Sequence, residues 1–366
     1  MVYLWAIFAI QTSAKVINLM TTLLNKFMRN IYLTYLSVIL VTLVGCQSRY
    51  LDVSRQTKII QITIPEEGYY VGSPVWLFDA IVVFRFTPIT EASNPVRLVP
   101  DLRLHNISQN EWEKIPVETG DDCHSLTFSF LQRLPNHQLG FYKTCIYDNG
   151  GSVSKLQQMN IITSETQTLL DQDLSINEGQ FSFSPDLSEL VQEDMTGRFL
   201  SNKIYYKHDD KSTQIVPDFT RAMYPNWSQI SREIAFWGTE NYLESDPDEL
   251  NTLPEVSALA LYPFDLYISS PDGMNPQKIL SSVQDPLFIK WSPKERTIAF
   301  SGTFYNMPGI WLVDASTSSV TRVWPTSVEF DWSPDGNRIV LVDTEKNQEE
   351  IITQQNILIV CISECE

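Results

Sequence analysis

After Cys46 the chain carries apolar and polar residues in short alternating runs, and no long stretch shows the 3.6-residue spacing of an amphipathic helix. The runs are rich in Val, Ile, Tyr, Phe and Thr and are punctuated by Pro, Asp, Asn and Gly. A period of two puts one face of a strand against a core and the other toward solvent, and the punctuating residues are those that turns demand. The pattern predicts an all-β protein built from short strands.

The pattern also repeats. FDWSPDGNRIVLVD (Phe330–Asp343), IKWSPKERTIAFSG (Ile289–Gly302) and PNWSQISREIAFWG (Pro225–Gly238) each place a tryptophan nine positions before an apolar residue. Weaker copies are FSFSPDLSELVQED from Phe181, PVWLFDAIVVFRF from Pro74, and LTFSFLQRLPNHQLGFYKT from Leu126, the last with a longer turn before Leu139. The aromatic slots are therefore Trp76, Phe130, Phe183, Trp227, Trp291 and Trp332, spaced by 54, 53, 44, 64 and 41 residues. The shorter spacings match the roughly 40–50 residues of a propeller blade. The longest contains a polar, acidic insertion between Phe236 and Phe264.

A second hairpin follows each slot, as in Phe264–Leu280, Gly309–Trp324 and Lys203–Val216. The last copy stops after a third strand in NILIVCISECE, while KIIQITIP (Lys58–Pro65) stands unpaired before the first copy. Closing a ring with that strand would remove an exposed blade edge. The expectation is a six-bladed β-propeller of four-stranded antiparallel blades over residues 58–366, its last blade closed by an N-terminal strand.

Ser333, Pro334, Asp335 and Gly336 stand in the order that a type I turn prefers. The same four letters recur at Ser270–Gly273, in the other hairpin of a repeat. A catalytic motif has no reason to occur at two topologically different places, whereas a turn does. The aromatic before the turn supplies a large apolar body suited to packing between blades. The motif resembles the TolB-type β-propeller repeat: Trp332–Gly336 matches it letter for letter, and Asp265-Leu266-Tyr267 with Asp272-Gly273 matches its second half. The resemblance implies a propeller. TolB also carries an α/β domain ahead of its propeller, and the roughly thirty residues between Cys46 and Trp76 are too few for one.

Residues 31–45, IYLTYLSVILVTLVG, are apolar and uncharged, with Arg29 before them and Cys46 after. The run has the length of a signal-peptide core and is short for a membrane span. Leu43-Val44-Gly45-Cys46 resembles the lipobox of bacterial lipoproteins, which implies cleavage before Cys46 and lipid on its thiol. Residues 28–45 are then a lipoprotein signal peptide and 46–57 a short tether. Residues 1–27 read either as upstream sequence from a misassigned start or as a second apolar segment. The resemblance implies an extracytoplasmic protein, lipid-anchored to the cell membrane or outer membrane of a bacterium; Gln47 is not the aspartate linked to inner-membrane retention.

Cysteine usage agrees with export. Setting Cys46 aside leaves Cys123, Cys145, Cys361 and Cys365, an even number that permits two disulfides or four free thiols. Cys123 opens one expected strand and Cys145 closes the next.

Charge and composition narrow the function. Residues 1–45 hold three basic residues and no acid, so removing them takes the net charge from −18 to −21. No Lys/Arg cluster marks a nucleic-acid partner. The four histidines, His105, His124, His137 and His208, are scattered, and there is no nucleophile elbow or phosphate-binding glycine loop. No catalytic residue, cofactor or metal site is predicted. The acidic stretch Glu244–Glu249 offers contacts to a cation such as calcium but lacks the ligand alternation of an EF-hand, and fits a solvated insertion better.

The function expected is a protein- or ligand-binding scaffold at the cell envelope, with the membrane as one partner and an envelope protein or small ligand as another. The alternative is a channel-site propeller enzyme, a lyase or hydrolase acting on glycans or peptides, for which His105, His124 and Asp79 are the available nominees. Cys46→Ser is expected to move the protein from the membrane to the soluble fraction on fractionation. A variant that stays membrane-bound would show that the lipoprotein reading is wrong or that residues 1–27 form a real anchor.

Overall fold

The computed structural model describes residues 51–52, 58–89, 99–117, 123–148, 151–170, 179–194, 202–208, 211–240, 263–346 and 352–363. Cys46, Cys365, the leader and the Glu244–Glu249 stretch lie outside them.

The strands form six sheets, each with four antiparallel strands, arranged as blades in a ring. From the axis outward, blade 1 is Tyr69–Phe78, Ile81–Pro88, Asp101–Asn106 and Glu111–Ile115. The inner strands of blades 2 to 6 are Ser125–Leu134, Phe181–Phe183, Arg221–Trp227, Ile289–Trp291 and Phe330–Trp332. Blade 6 takes its outermost strand from Ile59–Ile62, which pairs antiparallel with Ile352–Cys361 through Ile59↔Val360 to Ile62↔Ile357. The protein is a six-bladed β-propeller closed by an N-terminal strand. Blade 5 carries one more strand than expected: Leu51–Asp52 adds to its outer edge, parallel to Val320–Trp324.

In four blades the turn after the slot aromatic has a shared local cause. Ser184, Ser228, Ser292 and Ser333 are buried, and each donates its N–H to the carbonyl five residues on, at 2.8–2.9 Å. In blade 6 the Gly336 N–H reaches the Ser333 carbonyl at 2.9 Å, and Gly336 takes φ 68°, a value that favours glycine. Asp335 receives the Ser333 hydroxyl and the Asn337 amide. Burial pushes its carboxyl up, and these bonds with Arg338 and Lys294 more than reverse that, so it ionises below the usual range. Ser270–Gly273 forms the same turn, with the Gly273 N–H on the Ser270 carbonyl.

Six apolar clusters fill the ring, one at each junction between neighbouring blades. Trp76, Phe183, Trp227, Trp291 and Trp332 each pack into the junction with the preceding blade. Blade 2 differs from the expectation. There Arg133, paired with Leu139, occupies the ladder position that Trp332, paired with Ile339, holds in blade 6. Phe130 lies three residues earlier at φ 52°, level with the bulged Ser73 and Tyr224 of blades 1 and 4. The extra length of this copy is a bulge between Ser129 and Gln132 and a longer strand, not a longer turn.

Cys123 and Cys145 form a disulfide beside the first hairpin of blade 2, Cα atoms 5.4 Å apart. Cys361 is also disulfide-bonded.

Ile62 is buried in the cluster that joins blades 6 and 1. Ile62→Ala is expected to cost about 2–5 kcal/mol, through lost burial and a cavity at the ring's closure. Urea unfolding followed by tryptophan fluorescence measures it.

Candidate functional site

The inner edges of all six blades surround a cavity of about 250 Å³ on the propeller axis. Its character follows from strand alternation. A slot aromatic points toward the preceding blade, so the residue before it points toward the following one. There it meets the edge of the next inner strand, whose N–H groups have no further strand to pair with.

The protein supplies side-chain acceptors at that position. Asp331 Oδ2 accepts the Trp76 N–H at 2.8 Å, Ser182 Oγ accepts the Trp227 N–H at 2.9 Å, and Asn226 Oδ1 accepts the Trp291 N–H at 2.8 Å. Gln132 of blade 2 donates to Ser182 of blade 3 at 3.2 Å. Blade 5 carries Lys290 in this place, which cannot accept; its Nζ instead pairs with Asp331 Oδ1 at 2.9 Å, and the Trp332 indole N–H donates to its carbonyl. Between blades 1 and 2, Arg85 donates to the Phe128 carbonyl at 2.8 Å and Arg133 to the Trp76 carbonyl at 3.3 Å.

Three cations, Arg85, Arg133 and Lys290, and two carboxylates, Glu329 and Asp331, line the cavity. Both carboxylates are engaged: Asp331 as described, and Glu329 by the Ser73 N–H. Gly72 makes room here, since a Cβ on it would lie 3.0 Å from Glu329 Oε2 and 3.1 Å from Tyr70. Phe130, Phe181, Tyr224, Phe288 and Phe330 supply apolar surface, and Gln132, Gln180, Asn226 and Gln229 supply amides. Gln132 Oε1 and Gln180 Oε1 are buried without a partner.

Burial, and after it the charges of Glu193 and Glu329, push the Tyr224 hydroxyl up to about 12, so it stays neutral at ordinary pH. Glu193 lies behind it and accepts the Tyr224 N–H at 3.2 Å. Burial raises the Glu193 carboxyl above its ordinary 4.5, against the opposing pull of its hydrogen bonds and of Arg221.

The residues nominated from sequence for a channel site are elsewhere. His105 is buried on the third strand of blade 1 against Trp112, and burial lowers its pKa. His124 contacts the Asp148 carboxylate at an exposed position. Asp79 belongs to a turn, where its carbonyl accepts the Trp76 indole N–H. None lines the cavity. Among the slot residues, Phe130, Trp227, Trp291 and Trp332 reach its wall. Among the described residues no group of three or more His, Cys, Asp or Glu is placed to hold a metal.

Sequence reasoning missed Asp331, Lys290 and Asn226, although a signal existed: each is a polar residue directly before a tryptophan in an apolar strand. Arg85, set between two phenylalanines in AIVVFRF, carried a similar signal. For Glu329 and Gln180 no such signal is present.

No family model and no curated protein matches the sequence. The fold, in contrast, has many counterparts. TolB from Acinetobacter baumannii is similar with a TM-score of 0.50 at 10% identity, over 80% of each chain. The fold is that of the TolB-like six-bladed β-propellers. An α-L-arabinofuranosidase from Fusarium graminearum, solved with an iminosugar inhibitor, is similar with a TM-score of 0.53 at 13% identity, over 82% of this chain and 96% of its own. An oligogalacturonate lyase in complex with manganese gives 0.50 at 10% identity, over 87% and 96%. At these identities the likeness is one of fold.

The Asp331–Lys290 pair, both side chains mostly buried, ties blades 5, 6 and 1 together. Asp331→Ala leaves a buried lysine and a buried Trp76 N–H without partners, and is expected to cost about 3–5 kcal/mol. Asp331→Asn keeps an acceptor for Trp76 and should cost less. Denaturant titration of both variants checks the order.

Proposed function

We propose that the protein is a lipid-anchored, extracytoplasmic binding module that takes a small ligand into the axial channel of its propeller. The observation that carries this reading is the channel lining, where aromatic faces, amides and charged groups from six blades converge on one cavity. Concave, largely apolar sites with a few placed polar groups are where small ligands bind. The lipobox resemblance at Cys46 supports the anchor. The Cys123–Cys145 disulfide supports an oxidising, exported setting.

Binding is favoured over turnover because both channel carboxylates already accept hydrogen bonds from the protein. A general acid or base must reach the proton it transfers, and Asp331 and Glu329 are both held by donors of the protein. Some propellers of similar fold are glycan-acting enzymes by name, so turnover belongs in the test.

Full-length protein in detergent, screened against a small-molecule library by thermal shift, is expected to yield ligands that leave the library compound unchanged. Gln229 is exposed where the channel opens. Gln229→Trp should abolish binding without lowering the melting temperature of the free protein. Conversion of a ligand that is lost in Glu329→Gln would overturn the binding-only reading.

A further inference from the structure

The axial channel adjoins a second cavity of about 240 Å³ between blades 1, 2 and 3, and the two share Gln132, Arg133 and Gln229. The second cavity is bounded by the turn Pro135–Gln138, closed by a hydrogen bond from the Gln138 N–H to the Pro135 carbonyl. Asn136 and His137 both take positive φ there, and His137 packs on Phe78 with ring centroids 4.2 Å apart. Arg133 therefore stands at the partition between the channel and this second cavity, on a braced hairpin.

Its guanidinium is under-used. Among the described residues its one hydrogen bond is the 3.3 Å contact to the Trp76 carbonyl, longer than the usual N–H···O range. No described carboxylate lies within ion-pair distance of it, in a chain where 44 acidic residues face 26 basic ones. The channel's own carboxylates are committed elsewhere, Asp331 to Lys290 and Trp76 and Glu329 to Ser73. Gln180, more than nine-tenths buried on the cavity wall, also has an amide oxygen without a partner. An arginine is always charged, and its planar fork matches a carboxylate with two parallel hydrogen bonds.

Taking channel binding as the basis, we propose that the ligand is a small organic carboxylate with an apolar body, its carboxylate on the Arg133 guanidinium. The charge of the lining sets the class. Three cations against two carboxylates leave one positive charge to be met, which a monoanion meets. A phosphate dianion would exceed it and would face Asp331 and Glu329 in the same cavity. Aromatic rings of the wall, among them Phe130, Phe181, Tyr224, Phe288 and Phe330, suit the apolar part.

The test uses matched pairs on full-length protein in detergent: phenylacetate with phenylacetamide, and hexanoate with hexanamide, with inorganic phosphate as a third probe. Ligand-observed NMR titration reads the affinities. Carboxylates are expected to bind more tightly than their amides, with affinity falling as salt rises. Arg133→Gln should weaken the carboxylates by about tenfold or more and leave the amides unchanged. Arg133→Lys keeps the charge without the fork and should fall between, which guards against a folding defect in the glutamine variant. Amides that bind as well as carboxylates, or carboxylate binding indifferent to both Arg133 variants, would overturn the carboxylate while leaving channel binding in place. Preference for phosphate would overturn it as well. A channel that binds neither these pairs nor any library compound overturns channel binding itself, and this proposal with it.

Discussion

The inner strand of every blade has one edge with no strand beyond it, and the ring depends on how those edge amides are satisfied. A buried N–H without a partner costs about as much as a lost hydrogen bond. Here the acceptor comes from the neighbouring blade. Asp331, Ser182 and Asn226 each sit one residue before a slot aromatic and receive the N–H of the next blade's slot residue. Alternation along the strand makes this possible, because it turns the aromatic toward one neighbour and the polar residue toward the other. One dipeptide thus serves two junctions, a wedge into the blade behind and a hydrogen-bond acceptor for the blade ahead.

The lining of the channel is a consequence of that arrangement. The groups that satisfy inner-edge amides are polar, and they stand near the axis, so the cavity carries placed polar groups before any ligand is considered. Departures from the common pattern then give it chemical character. Blade 5 has Lys290 where others have acceptors, and the lysine compensates by pairing with Asp331. Blade 2 has Arg133 where others have an aromatic wedge, and its guanidinium reaches across to the Trp76 carbonyl. Apolar packing at that junction is carried instead by residues such as Leu131, Phe128 and Phe141. The least regular blade contributes a cavity cation whose hydrogen bond to the protein is a long one.

Much of this was legible in advance. Trp332-Ser333-Pro334-Asp335-Gly336 announced a turn, and the buried serine with its i to i+5 bond recurs in four blades. The unpaired strand at Lys58–Pro65 pointed to ring closure, and Ile59–Ile62 closes blade 6. In blade 2 the slot is held by Arg133 rather than an aromatic, so the aromatic spacing points instead to Phe130 at the bulge. His105, His124 and Asp79 were weighed for a channel site only because of their residue types. Strand position decides otherwise: His105 sits on a third strand, and His124 and Asp79 stand just beyond the ends of inner strands, off the cavity wall.

The sequence by itself determined the strand period, the turns, the repeat and the need for a closing strand, because each is written in residues close together along the chain. The axial cavity was decided only by tertiary structure. Its wall draws on Ser73 and Asp331, more than 250 positions apart, and on strands from all six blades between them. Which polar residue meets which neighbour depends on the register of adjacent inner strands and on closure of the ring. Neither register across blades nor closure geometry is carried by local pattern, so Arg133, Lys290 and Glu329 acquire their surroundings only when the propeller is complete.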